Sequence, residues 1–307
     1  MRIVFMGTPD YAAVTLQKLI DENYDIAAVF AQPDKPVGRK QILTPPETKV
    51  LAEKYNIPVY QPKTLRDGEA YKILQEINPD AIVVVAYGKI LPKEILDLPK
   101  FGCINGHASL LPKLRGSAPI QWAIVNGETV TGVTMQLMDE GIDTGDILET
   151  VSTEIGAEET AEELFERLSV MSADLMISTL KKAEQGKLEP QKQNDADATY
   201  APIIKKEMAH LDFNKTADEI CNTIRGFYSW PCAFCFINGK RIKVIKAVKS
   251  NMSHNKCGVV ICSDEKLVIS CKDSSVEFVT VQPEGAKIMS AKVMLNGNKI
   301  PEGTVVE

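Results

Sequence analysis

Histidine is scarce in this chain: there are three in 307 residues, and His107 is the only one in the first two thirds. The seven cysteines are odd in number and spread from Cys103 to Cys271, which gives no basis for a disulfide framework. Cys232 and Cys235 in "WPCAFC", with Cys257 and Cys262, offer thiols for zinc. But "CAFCFI" is dense in residues suited to a buried strand, no histidine sits beside it, and the Cys257–Cys262 spacing is wide for a zinc knuckle, so no metal is expected. No apolar run is long enough and free enough of charge to span a membrane. The opening "MRIVFMGTPD" lacks the small-residue cleavage site of a signal peptide, and a cytoplasmic location is expected. The first strand–helix turn, "MGTPDYA", has one glycine where a dinucleotide-binding loop needs three, which argues against a nicotinamide-dependent oxidoreductase.

What is present points to two modules. The length exceeds what one core ordinarily fills, and 44% hydrophobic with 25% charged residues is ordinary for a globular protein. The net charge of −6 conceals an asymmetry. Residues 1–202 carry 20 Lys/Arg against 30 Asp/Glu, whereas residues 203–307 carry 15 against 11. A basic module on an acidic body suits a polyanionic partner that touches one part of the protein.

Short β-rich runs alternate with helical stretches over the first two thirds: strands at 2–6, 25–31, 80–88 and 102–105, helices at 12–23, 47–56 and 69–78, and a long helix near 158–184 that stops at Gly186. This alternation predicts an α/β fold, a Rossmann-like doubly wound, mostly parallel sheet whose ligands bind beyond the carboxyl ends of the strands. The stretch 187–202 is polar, holds two prolines and lacks periodicity, so it reads as a linker. Residues 203–307 show one early helix and then many short strands separated by turn signals, which predicts a small OB-like β-barrel.

Chemistry concentrates in "INGHASLLP", residues 104–112. Asn105 and His107 are two apart, so on an extended chain they point to one side, just past a strand end. Imidazole exchanges protons near neutrality, and an Asn amide can donate to a developing oxyanion. The bland alternative is a satisfied structural histidine. A second cluster, "MDEGIDTGDI" (138–147), puts Asp139, Glu140, Asp143 and Asp146 in one glycine-punctuated loop. It lacks the twelve-position spacing of a calcium loop. Such a loop is either a solvated acidic turn or a support that orients a histidine or holds a water.

"NGHASLLP", "LRGSAPIQWAI", "TGVTMQLMDEGIDTGDIL" and "IRGFYSWPCAFCFINGKRIKV" together resemble the methionyl-tRNA formyltransferase family, within the folate-dependent formyltransferase superfamily. The resemblance runs from "FMGTPDYA" to the C-terminal barrel. It implies a catalytic domain at 1–186, a linker at 187–202 and a tRNA-binding barrel at 203–307. It assigns Asn105, His107 and Asp143 to catalysis. Ser109, Leu110, Leu111 and Pro112, with Tyr87, Gly88, Ile90, Met138, Asp139 and Ile142, would bind 10-formyl-tetrahydrofolate, the formyl donor. The insertion at 32–46, through Arg39 and Lys40, and the barrel residues Lys205, Lys206, Arg241 and Lys243 would meet charged initiator methionyl-tRNA.

The implied reaction moves the formyl group to the methionyl amine in a monomeric enzyme, without metal or membrane. His107 would act as proton carrier or as hydrogen-bond donor, and both roles stay open. Gly106 stands where the family usually has an apolar residue, and Trp122 where an arginine is common. Two rival readings are formyl transfer to a small amine, which leaves the basic module without a task, and a tRNA-binding protein with a silent site, against which the retained Asn105, His107 and Asp143 argue.

Overall fold

A computed structural model of the chain describes all residues except Arg39, Ser253 and Asn298. The chain forms two compact units: Met1–Gly116, Thr131–Thr153 and Phe165–Tyr200 make the first, and Ser117–Val130, Glu154–Leu164 and Ala201–Glu307 the second. The second unit thus takes in two segments that lie far upstream of residue 203.

In chain order come β1 (Arg2–Gly7), α1 (Asp10–Asp21), β2 (Asp25–Phe30), β3 (Lys35–Val37), β4 (Ile42–Thr44), α2 (Glu47–Lys54), β5 (Val59–Tyr60), α3 (Glu69–Ile77) and β6 (Ala81–Val85). They are followed by α4 (Lys93–Leu96), β7 (Cys103–His107), β8 (Arg115–Gly116), α5 (Pro119–Val125), β9 (Val130–Leu137), β10 (Asp146–Glu154) and α6 (Ala161–Glu184). Seven strands form one sheet in the order β10-β9-β7-β6-β1-β2-β5. The pairs β1–β2, β1–β6, β2–β5 and β6–β7 are parallel, and β7–β9 is antiparallel.

The sequence explains this arrangement. "AIVVV" in β6 is buried throughout, as a parallel strand covered on both faces requires. From β1 the chain steps outward through β2 to β5 and then returns to the other side of β1 with β6, so the strand order reverses between β1 and β6. Ligands of such sheets bind beside that reversal, at the carboxyl ends. Gly7 ends β1 there. A Cβ on Gly7 would lie 2.8 Å from both the Ala12 Cβ and the Val85 carbonyl oxygen, so glycine permits close packing rather than cradling a phosphate.

The remaining elements are β11 (Tyr200–Ala201), α7 (Ala217–Gly226), β12 (Phe234–Ile237), β13 (Lys240–Ser250), β14 (Val260–Cys262), β15 (Leu267–Ser270), β16 (Ser275–Pro283), β17 (Met289–Ser290) and α8 (Ala291–Gly297). Within the second unit β12-β13-β16-β15-β14 are neighbours in that order, with β17 on β16. Residues 304–307 join the two outermost strands. Val306 bridges to Ile237, Val305 bridges to Val259, and the Val260 N–H donates to the Thr304 carbonyl at 2.9 Å. The sheet thereby closes on itself, as expected for an OB-like barrel.

Its core joins Ile220 and Ile224 of α7 and Met294 and Leu295 of α8 to Val244, Ile269, Phe278 and Val281. Burying each large side chain contributes about 1.5–3 kcal/mol. Helix α7 starts at a capping box: the Thr216 N–H donates to Glu219 Oε2 at 2.8 Å, and the Glu219 N–H to Thr216 Oγ1 at 3.3 Å. Trp122 in α5 donates its indole N–H to the Pro202 carbonyl at 2.8 Å and meets Phe227 edge-on, so it serves packing within this unit. Cys235 lies in the barrel core, where burial pushes its thiol up to about 12, the wrong direction for a thiolate ligand.

Candidate active site

Strand β7 carries Asn105 and His107 with Gly106 between them, and antiparallel β9 runs beside it, with Asn105 opposite Gln136 and His107 opposite Thr134. His107 is 6% exposed, and both ring nitrogens face partners. Nε2 lies 2.9 Å from the Leu114 carbonyl oxygen, and Nδ1 lies 3.5 Å from Asp143 Oδ1. A carbonyl only accepts, so Nε2 carries a proton and donates it to Leu114. Proton exchange is therefore left to Nδ1, on the Asp143 side. The 3.5 Å separation is longer than a direct hydrogen bond and leaves Nδ1 available to a third group.

Asp143 is held on both oxygens. Oδ2 accepts the Gly116 N–H at 2.8 Å, and Oδ1 accepts from Gln136 Nε2 at 2.9 Å. Gln136 is 1% exposed, and its own Oε1 has no hydrogen-bond partner among the described residues. Sequence reasoning passed over Gln136. The available signal was a glutamine in a strand otherwise free of amides and charges, but its meaning depends on a register that only the folded sheet sets. Gly106 has a packing role: a Cβ there would lie 2.9 Å from Ser172 Oγ on α6 and 3.3 Å from Met135 Cε.

Ser109 is buried and donates its hydroxyl to the Lys113 carbonyl at 2.6 Å. Its carbonyl accepts from Thr134 Oγ1 at 2.7 Å, and that hydroxyl in turn accepts the Leu111 N–H at 3.1 Å. Leu110 is half-buried, Leu111 is buried, and Pro112 follows through a cis peptide. These hydrogen bonds shape the loop beyond His107.

Tyr87 is buried with Leu91 in a cluster against which Met138 packs. Its hydroxyl has no partner among the described residues, and burial raises its pKa. The Tyr87 and Gly88 carbonyls accept from Gln32 Nε2 at 3.0 and 3.2 Å. Ile90 and Ile142 are 58% and 63% exposed. Lys93 Nζ and Glu140 Oε1 are 3.8 Å apart, so the start of α4 lies near the acidic loop. Asp139 accepts from the Gly141 N–H at 3.0 Å and from Thr144 Oγ1 at 2.6 Å, so its Oδ1 braces its own loop.

Arg39 lies outside the described residues. Lys40 is exposed in the turn between β3 and β4, in the first unit. In the second unit Lys205 and Lys206 are exposed, and Lys243 is half-buried opposite Phe234. The guanidinium carbon of Arg241 sits 3.8 Å from the Phe234 ring centroid.

An amide, an imidazole and a carboxylate at one strand end suit transfer of an acyl-type group, in which an oxyanion needs donors and protons must move. The chain belongs to the formyl transferase family: the formyl transferase model matches residues 1–180, and the C-terminal domain of formyl transferases matches residues 203–299. A methionyl-tRNA formyltransferase of Caldanaerobacter subterraneus subsp. tengcongensis is 46% identical over 309 residues, covering 100% of both chains. The solved methionyl-tRNA formyltransferase from Clostridium thermocellum is 25% identical with a TM-score of 0.58, covering 81% of this chain and 94% of that one. An N-formyltransferase from Helicobacter canadensis shares the fold, at 23% identity, a TM-score of 0.69, and coverage of 92% and 98%.

Proposed function

We propose that this enzyme transfers the formyl group of 10-formyl-tetrahydrofolate to the free amine of initiator methionyl-tRNA, with Asn105, His107 and Asp143 as the catalytic residues. The observation that carries the reading is the approach of His107 Nδ1 to Asp143 at 3.5 Å while Nε2 is bound to a backbone carbonyl. In the reaction a bond forms between the methionyl nitrogen and the formyl carbon, the bond from that carbon to the folate nitrogen breaks, and one proton passes from the amine to the departing nitrogen.

Asn105 donates to the formyl oxygen as charge builds on it, a role worth about 10²–10³ in rate. His107 carries the proton at Nδ1, a contribution of about 10²–10⁴. Asp143 orients the ring and balances the imidazolium that forms. The loop residues fit a flat, polar-edged donor. Tyr87 brings a buried hydroxyl without a partner among the described residues, Met138 packs against its cluster, and Ile90 and Ile142 are exposed apolar side chains on the loop after β6 and on the acidic loop. Gly88 and Asp139 lie on these two loops, and Ser109, Leu110, Leu111 and Pro112 on the loop beyond His107.

The tRNA acceptor is supported by the uncovered cations Lys40, Lys205 and Lys206 and by the stacked Arg241 and adjacent Lys243. A cytoplasmic, monomeric enzyme fits this role. Among the described residues no helix is long and apolar enough to cross a membrane. The test incubates the purified protein with 10-formyl-tetrahydrofolate and charged initiator tRNA, beside uncharged tRNA and small amines. Formyl groups should appear on the methionyl amine. Transfer to small amines alone would overturn the reading.

A further inference from the structure

Both partners of His107 sit in unusual backbone. Leu114, whose carbonyl takes the Nε2 proton, has φ +57°, and Asp143, which faces Nδ1, has φ +53°. Neither is glycine; for a leucine this left-handed conformation is uncommon and is held by its surroundings, while an aspartate enters it more readily. The two loops are separate in sequence, yet one segment, residues 191–199, grips both.

At the Asp143 loop, Gln193 Nε2 donates to the Asp143 carbonyl at 2.9 Å and to the Gly145 carbonyl at 2.8 Å. Its Oε1 accepts from Arg115 Nε and Nη2 at 3.0 and 2.8 Å, and Arg115, 3% exposed, also donates to Asp195 at 2.8 Å. Gln191 exchanges backbone hydrogen bonds with Ile147 at 2.8 and 2.9 Å, just beyond the loop. At the other loop, Thr199 Oγ1 accepts the Leu114 N–H at 2.9 Å, and the Thr199 carbonyl accepts the Arg115 N–H, also at 2.9 Å.

We infer that residues 191–199, which the sequence presents as a linker, are a positioning strap for catalysis. Gln193 and Thr199 hold the two backbone segments that fix the His107 ring from its opposite nitrogens. The inference rests on the proposed formyl transfer for its kinetic readout. Gln193 and Thr199 act through Asp143 and Leu114 and have no contact with reacting atoms to make.

Two isosteric substitutions remove the grip without removing volume. In Gln193→Glu a carboxylate, which only accepts, faces two carbonyl oxygens while Arg115 keeps a partner. In Thr199→Val the acceptor for the Leu114 N–H is lost, and Thr199→Ser restores it.

Each disabling variant should lower kcat by about 10²-fold, the cost of a misplacement near 1 Å. KM for formyl-folate and for charged tRNA should stay within twofold, and Thr199→Ser should recover wild-type kcat. Imidazole ¹⁵N spectra should show one His107 tautomer, protonated at Nε2, in the wild type and in Thr199→Ser, and a mixture in Thr199→Val. The inference is overturned if kcat stays within twofold in both variants, or if kcat and KM change together with a lowered Tm, the mark of a merely structural role. An unchanged His107 spectrum in Thr199→Val would overturn it as well. The spectra need no turnover, so a wild-type protein that formylates nothing would sink the proposed function while the ring signature still decides the strap.

Discussion

The end of β7 and the exposed cations of the barrel unit hold their charged and polar groups in opposite ways. At the strand end, Asp143 has both oxygens and its carbonyl engaged, and His107 is flanked at both nitrogens. In the barrel unit, ion pairs such as Lys249–Asp218 and Lys266–Glu277 join exposed or half-exposed side chains, and Lys205 and Lys206 stand in solvent. Exposed pairs contribute about 0–1 kcal/mol each and weaken with salt. A buried, doubly held group fixes direction, while an exposed cation supplies only field. Substitutions in the first region should therefore act on kcat, and those in the second on salt-dependent affinity.

The sharpest break of this contrast is His107→Ala, expected to lower kcat by about 10²–10⁴-fold with folate affinity nearly intact, read by steady-state kinetics and equilibrium folate binding. An unaltered kcat in the folded variant would remove His107 from the chemistry. Next, Asn105→Ala should lower kcat by about 10²–10³-fold with KM little changed. Replacing Lys205 and Lys206 together by Ala should raise KM for tRNA several-fold at moderate salt, leave kcat alone, and flatten the dependence of log KM on log salt. An identical salt slope would show those lysines to be idle.

The two smallest effects are on stability, measured by urea unfolding. Gly106→Val should destabilise by about 1–3 kcal/mol through collision with Ser172 and Met135. Thr216→Ala should cost about 1 kcal/mol by removing one half of the α7 capping box, with catalysis unaffected.

Much of the fold is written in local pattern. "RIVFM" and "AIVVV" become the buried strands β1 and β6, and the helical recurrence of Leu164, Leu168, Leu175 and Leu180 falls in α6, with Leu175 half-buried and the other three buried. Asn105 and His107 share a strand face that alternation marks in the sequence, whereas pattern leaves Asp143 one of four acidic residues in a glycine-punctuated loop, and only the family resemblance singles it out. Gln136 and Gln193 carry no such mark. Their meaning comes from a β7–β9 register and from a return of the chain 50 residues after Asp143. The β3–β4 ribbon and α8 escaped for a different reason. The ribbon is exposed on all six residues, so no burial periodicity marks it, and α8 has only seven residues. The segment 187–202 looked like a linker because its polar side chains are used in hydrogen bonds rather than hydrophobic burial. Trp122, which the family resemblance cast as a missing cation, is instead a hydrogen-bonded aromatic of the second unit.

The absence of a side chain at residue 106 also constrains how this protein can change. The Ser172 hydroxyl occupies the volume that a valine would need. The order of substitutions then matters: Ser172→Ala should open the space first, after which a larger residue at 106 becomes tolerable, whereas the reverse order passes through a crowded intermediate. Positions 106 and 172 should consequently vary as a pair across descendants of this sequence, and a library sampling both together would recover combinations that neither single scan contains.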